Sequence, residues 1–288
     1  MSKFNHPQDL PFYCVVGQPI GHSLSPLIHQ AFAKSLNVPL CYERIEVAPE
    51  QFEQDLRDFI AAGGKGMNVT VPLKEIAAKL APELSPRAEF AGAANTIVVK
   101  SEKHYMADNT DGIGLVTDLI SNLGRTLEGK RILLLGAGGA VRGALAPLIE
   151  HAPCSIVIAN RTISKAEQLS QRFKSHASGH GVALSAVDFS AIPSAAFDLI
   201  INGTSLGLSG KLPVLPLETI GNDTFTYDMV YSRSGSTDFT RWSLANGAVS
   251  SADGLGMLVE QAAEAFFIWH GKRPDTRSVM ALLRDDPA

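Results

Sequence analysis

Cysteine is scarce in this sequence. Its three residues, Cys14, Cys41 and Cys154, show no CxxC spacing, which argues against a disulfide framework and against a zinc site. Long apolar runs are missing too. None reaches the ~18 residues of a membrane span, and the polar segment 1–10 lacks the apolar stretch of a secretory signal. Nor is there an excess of positive charge. A net charge of −4 gives no reason to expect a nucleic-acid partner, so any anionic ligand must meet locally concentrated cations. Solenoid repeats and low-complexity segments are absent. With 45% hydrophobic and 19% charged residues, the expectation is a globular, cytoplasmic protein that binds neither nucleic acid nor membrane.

What the chain does contain is alternation. Short apolar strands are predicted at 12–16, 40–47 and 67–71, separated by helical patterns beginning near 27, 49 and 74. The segments 96–99 and 104–106 read as a hairpin. A second series follows: helix 113–123, strand 131–135, helix 140–150, strand 155–160, helix 163–174, then strands at 182–187, 197–202 and 225–230. The stretch 175–181 reads as a loop, and helices at 254–270 and 274–285 end the chain. Strand–helix alternation means a largely parallel sheet covered by helices. The fold class is therefore α/β, in two domains. The first, 1–110, has a mostly parallel sheet and is completed by the C-terminal helices 254–288; the second, 111–253, is a Rossmann-type dinucleotide-binding domain.

The cofactor signal begins where strand 131–135 runs into Gly136-Ala137-Gly138-Gly139-Ala140 and a helix. Gly136 permits a tight turn, and Gly138 and Gly139 let the backbone approach a pyrophosphate. The helix N-terminus then offers free N–H groups and a favourable dipole. Val141 occupies the sixth position of the motif in place of glycine. Alone, the turn is also compatible with a strand–helix junction that needs glycine for steric reasons. The next strand adds information. A ribose 2′-hydroxyl calls for Asp or Glu at its end, but here it ends in Asn160-Arg161-Thr162, with Lys165 one turn later. These cations are either ordinary surface charge or a site for a 2′-phosphate, which a guanidinium matches in geometry. NADP is thus favoured over NAD.

Polar clusters follow the predicted strands of the first domain, where open α/β sheets bind ligands. Each has an ordinary explanation on its own: Ser25 before Pro26 as a helix cap, Asn68 as a turn residue, Lys74 as a solvated surface group. Together they form a pattern. Ser23-Leu24-Ser25-Pro26, Asn68-Val69-Thr70-Val71-Pro72-Leu73-Lys74, Gly92-Ala93-Ala94-Asn95-Thr96 and Asn109-Thr110-Asp111-Gly112 resemble, in order, the substrate motifs of the shikimate dehydrogenase family. The glycine-rich turn, Asn160-Arg161-Thr162, Asn202-Gly203-Thr204-Ser205 and the segment from Asp253 to Ala262 continue the resemblance.

The resemblance implies NADPH-dependent, reversible reduction of 3-dehydroshikimate to shikimate, within chorismate and aromatic amino acid biosynthesis, by a monomer or homodimer. It implies that Ser23 and Ser25 hold the substrate carboxylate with Tyr231 nearby. Thr70, Asn95, Lys74, Asp111 and Gln261 would meet the ring hydroxyls and the reacting carbonyl, with Asn68 supporting them. Lys74 and Asp111 would be the catalytic pair. Gly136, Ala137, Gly138, Gly139, Ala140, Asn160, Arg161, Thr162, Lys165 and Thr204 would bind NADP, with Met229 and Gly254 at its nicotinamide end. No metal is implied. The sequence departs from the family in two places. Lys165 stands where the stretch NRTxxRA has arginine, and Pro86 stands where an acidic residue often precedes Arg87. Competing readings are an NAD-preferring quinate/shikimate dehydrogenase, a silent NADP-binding sensor, and another two-domain NADP enzyme such as a methylene-tetrahydrofolate dehydrogenase.

Overall fold

The structure, a computed structural model, describes residues 3–4, 9–102, 104–204, 206, 212 and 214–285. The chain divides into two compact units, Met1–Gly114 with Val259–Val279, and Leu115–Leu258 with Met280–Ala288.

The first unit is organised around β1 (Phe12–Gly17), whose residues are all buried, as expected of a strand covered on both faces. It pairs in parallel with β2 (Cys41–Glu46) and β3 (Gly66–Val69). β5 (Thr96–Ser101) and β6 (His104–Asp108) form the expected hairpin, with β5 antiparallel to β3. A short β4 (Glu83–Leu84) lies parallel to β6. The order is β2-β1-β3-β5-β6-β4, so the sheet is mixed, and the hairpin is the source of its antiparallel pairings. Helices α1 (Ser25–Leu36), α2 (Phe52–Ala61), α3 (Lys74–Leu80) and α4 (Pro86–Ala91) belong to this unit. Phe12, Phe52, Leu56, Phe59, Met67 and Leu73 make the centre of its core.

The second unit carries β7 (Arg131–Leu135), β8 (Ser155–Ala159), β9 (Ala183–Val187), β10 (Phe197–Asn202), β11 (Ile220–Asp228) and β12 (Ser250–Asp253) in the order β12-β11-β10-β7-β8-β9. Every pairing is parallel. The chain order reverses at β7, which is the doubly wound dinucleotide arrangement with its ligand crevice beyond the strand carboxyl ends. Helices α5 (Asp111–Thr117), α6 (Gly139–Glu150) and α7 (Ile163–Gly179) follow the same series, then α8 (Asp238–Ala245), α9 (Leu255–His270) and α10 (Thr276–Asp285). The β7 side chains alternate between two cores: Ile132 and Leu134 in one, Leu133 and Leu135 in the other.

Several expectations are corrected. The stretch read as a loop at 175–181 is mostly helix, because α7 continues to Gly179; Ala177 is buried and its carbonyl accepts from the Val182 N–H at 2.9 Å. The helix read over 113–123 is α5 followed by a π-helical turn, Asp118–Asn122. There the buried Asp118 carboxylate accepts from Tyr227 at 2.7 Å and Asn122 at 2.9 Å. β12 is polar and lacks the apolar period that marks elements in sequence, and α8, a short helix opening on a Thr237–Thr240 capping box, was not among the expected elements. The compact units themselves part after Gly114 and Leu258, and residues 280–285 group with the second unit. The reason for the last is local: Arg284 pairs with the buried Asp253 and donates to the Ser232 carbonyl at 2.6 Å. No described helix is long and apolar enough to cross a membrane.

Candidate active site

The carboxyl ends of β3, β5 and β6 in the first unit bring most of the predicted polar residues together. Asn95, immediately before β5, is buried, and its amide nitrogen lies 2.9 Å from Thr110 Oγ1, 2.9 Å from Asp111 Oδ1 and 3.1 Å from Gln261 Oε1. Its side-chain Oδ1 accepts from the Thr110 N–H at 2.8 Å and from Thr96 Oγ1 at 3.1 Å. Lys74 Nζ reaches Asp111 Oδ2 at 2.6 Å, with the side chains 14% and 5% exposed. One carboxylate therefore holds an ammonium on one oxygen and an amide on the other. Lys74 is the first residue of α3, where a cation opposes the helix dipole, whereas Asp111 opens α5, where an anion suits it. The lysine is placed against local preference and is compensated by its partner.

A second layer fixes this cluster. Asn68, on β3, is buried and donates to the Asn95 carbonyl at 3.2 Å and Thr96 Oγ1 at 3.3 Å. Asn109 donates to the Ala93 carbonyl at 2.9 Å and accepts from the Asp111 N–H at 3.1 Å. Arg87 donates to both Asp108 oxygens, at 3.1 and 2.6 Å, and to Glu264 at 2.9 Å. Burial pushes the Asp108 carboxyl up, but the Arg87 hydrogen bonds and charge outweigh it and hold Asp108 below its ordinary range. The preceding Pro86 sits at the start of α4 behind the capping Ser85, so that position serves the helix start. Thr70 follows β3, and its hydroxyl has no hydrogen-bond partner among the described residues.

Ser23 and Ser25 also lie in this unit, their hydroxyls 3.2 Å apart. Ser25 is not a helix cap. The cap position of α1 is Leu24, without a side-chain hydrogen bond, and Ser25 is inside the helix. The Ser25 hydroxyl is consequently not consumed by capping, while Ser23 Oγ accepts the Ser25 N–H at 3.3 Å.

In the second unit, Gly136 has φ +104°, and a Cβ there would meet the Gly203 carbonyl oxygen at 3.0 Å. Both facts require glycine. Gly138 precedes α6, and a Cβ built on it meets nothing within 4 Å, which leaves open space beside the backbone at the helix N-terminus. Ala137 is buried and Gly139-Ala140 begin the helix. Val141 is fully buried against Gly203: the residue that replaces the motif's last glycine is accommodated by a glycine at the end of β10. Beyond β8, Asn160 donates to the Thr162 carbonyl at 2.8 Å, while Arg161, Thr162 and Lys165 are exposed around the start of α7. The segment 160–165 itself contains no carboxylate.

The ends of β10, β11 and β12 are tied by Asn202 and Asp228. Asn202 Oδ1 accepts from the Thr204 N–H and hydroxyl at 3.1 and 2.7 Å, and its side-chain amide nitrogen donates to Asp228 at 3.0 Å. Met229 donates its N–H to the Asn202 carbonyl at 2.8 Å. Burial raises the Asp228 carboxyl above its ordinary range, against hydrogen bonds from Thr237, Val230 and Asn202. A Cβ on Gly254 would collide with the Met229 carbonyl. Tyr231 lies just past β11 in the same unit, and Ser205 is outside the described residues. Sequence reasoning missed the contacts of Thr110, Arg87 and Asn202: Thr110 and Asn202 lie inside recognised motifs, whereas Arg87 carries no local signal because its partners Asp108 and Glu264 are 21 and 177 positions away.

These two sets of residues coincide with matches to known proteins. The family model for the shikimate dehydrogenase substrate binding domain matches residues 15–97. The model for shikimate/quinate 5-dehydrogenase matches 118–206, and that for the shikimate 5'-dehydrogenase C-terminal domain matches 254–284. An NADP(+) shikimate dehydrogenase of Marinobacter nauticus is 50% identical over 95% of this chain and 98% of its own. The solved structure of an Ael1 enzyme from Pseudomonas putida superposes with TM-score 0.87 at 42% identity, covering 96% of this chain and 100% of that one. The shikimate 5-dehydrogenase of Thermus thermophilus, solved with NADP(H) and shikimate, gives TM-score 0.82 at 32% identity, covering 96% and 99%. This chain belongs to the shikimate dehydrogenase family.

Proposed function

We propose that this protein catalyses the NADP-dependent interconversion of shikimate and 3-dehydroshikimate, with substrate held by the first unit and cofactor by the second. The observation that carries the reading is the pair formed by half-buried Lys74 and buried Asp111, 2.6 Å apart and joined by Asn95 to Thr110 and Gln261. Reduction of a ketone needs a donor at the oxygen that gains negative charge, and finally a proton. The Lys74 ammonium supplies both, as electrostatic stabiliser and general acid. Asp111 orients it and balances its charge. Thr70, Asn95 and Gln261 present hydroxyl and amide groups to ring hydroxyls, with Asn68 behind them, and the Ser23/Ser25 hydroxyls suit a carboxylate; Tyr231 is assigned to the substrate by the family resemblance alone.

NADPH supplies the hydride when bound. The second unit fits it: the open backbone at Gly138 suits a pyrophosphate, and Arg161 and Lys165 suit a 2′-phosphate. Asn160, Thr162 and Thr204 complete the phosphate and ribose side, and Met229 and Gly254 the nicotinamide side. The reading places the protein in the cytoplasm, where its three free thiols stay reduced, as a monomer or homodimer. The test is oxidation of shikimate with NADP+ and with NAD+, in the wild type and in Arg161→Asp. The wild type is expected to form 3-dehydroshikimate with a higher kcat/KM for NADP+, and the variant to shift toward NAD+ by ~10²-fold or more through a lost charge-assisted bond and new repulsion. No turnover of shikimate contradicts the function. An unmoved preference contradicts the 2′-phosphate site.

A further inference from the structure

Tyr42 is assigned no role by any motif, yet it is buried beneath the candidate substrate site. It lies on β2, 3% exposed. Its hydroxyl donates to Asn68 Oδ1 at 2.6 Å. That bond determines the Asn68 amide: with the oxygen committed to the phenol, the nitrogen must face the Asn95 carbonyl and Thr96 Oγ1, as it does. Tyr42 thus stands directly behind the Asn68–Asn95 network.

The ring is held as firmly as the hydroxyl. Its face stacks on His29, with ring centroids 4.3 Å apart and planes inclined by 8°. His29 is itself fully buried, and neither ring nitrogen has a hydrogen-bond partner among the described residues. Phe266 and Trp269 of α9 flank the imidazole at 6.2 and 5.3 Å. An imidazole in such a setting acts as a flat, uncharged platform. The phenol has no freedom to turn away from Asn68.

We infer that Tyr42 is a positioning residue for substrate: through its hydrogen bond to Asn68 it fixes the amide and hydroxyl network that receives the ring hydroxyls. The inference rests on the functional reading above.

Tyr42→Phe removes one oxygen and leaves the stack on His29. The expected result is a rise of about tenfold in KM for shikimate, the scale of one lost hydrogen bond. The dissociation constant for NADP+, measured by calorimetry without substrate, is expected to stay within twofold. Asn68→Ala probes the same link from the other side. If Tyr42 acts through Asn68, adding Tyr42→Phe to Asn68→Ala changes KM by less than twofold further. A melting curve on each preparation shows what fraction is folded, and kinetic constants are taken per folded molecule. A shikimate KM within twofold of wild type in Tyr42→Phe overturns the inference, as does a full, multiplicative effect in the double variant. A wild type that fails to oxidise shikimate overturns the functional reading instead, and is recognised before any variant is made.

Discussion

His29 breaks the usual rule for its residue type. A buried polar ring normally finds a hydrogen bond, but this one is enclosed by aromatic faces. Burial, then the neighbouring His270, lower its pKa from the ordinary 6.5 to about 3, against a smaller opposing pull from Asn68. In the folded protein the ring is therefore neutral at any pH where the enzyme works. The unfolded chain takes up a proton near 6.5 and the folded chain does not until about 3. His29 thus favours the fold above 6.5, and that contribution is lost as pH falls toward 3, by up to about 1.4 kcal/mol per pH unit. His29→Phe removes the proton uptake. Urea denaturation of both proteins between pH 7 and about 4 is expected to show the wild type losing stability more steeply than the variant. Parallel curves would mean that the imidazole is protonated in the folded state.

At the scale of elements, the glycine-rich turn and the end of β10 are one packing problem. Val141 stands where the dinucleotide motif has its last glycine, and the space it needs comes from Gly203. Gly203→Ala places a methyl group against Val141 Cγ2 and the Met229 sulfur, and overpacking of this kind costs about 1–3 kcal/mol. Val141→Ala in the same chain makes room, so the double variant is expected to lose less stability than the sum of the singles. Additive losses in urea melts would separate the two positions. The same pairing shows what a sequence makes legible. Apolar strands such as Arg131–Leu135 announce themselves through period and length, and Lys74–Leu80 was read with its observed limits. β12 reads Ser-Ser-Ala-Asp, so its signal lies in backbone pairing rather than apolar spacing, while α8 packs Phe239 and Trp242 on its core face but is only 8 residues long. The end of α10 groups with the second unit through Arg284 and Asp253, which are 31 positions apart. The candidate site follows the same division. Residues inside ordered motifs, such as Lys74, Asn95 and Asp111, were found; Tyr42 and Arg87, which act through partners from distant strands, were not.

Over the whole molecule, a net charge of −4 sits with a proposed chemistry whose ligands are anions. The positive charge is placed locally, with Arg161 and Lys165 at the start of α7 and Lys74 half-buried beside Asp111. Of these, Lys74 bears most on the account, since a structural ion pair and a proton donor look alike in a static structure. Both views predict that Lys74→Ala melts earlier, because Asp111 is left buried without its cation. They differ in turnover. Steady-state oxidation of shikimate with NADP+, measured for wild type and Lys74→Ala per folded molecule, is expected to show kcat and kcat/KM falling together by ~10²–10⁴-fold. A folded Lys74→Ala protein with near-wild-type kcat would contradict the account and leave Lys74 as a strut.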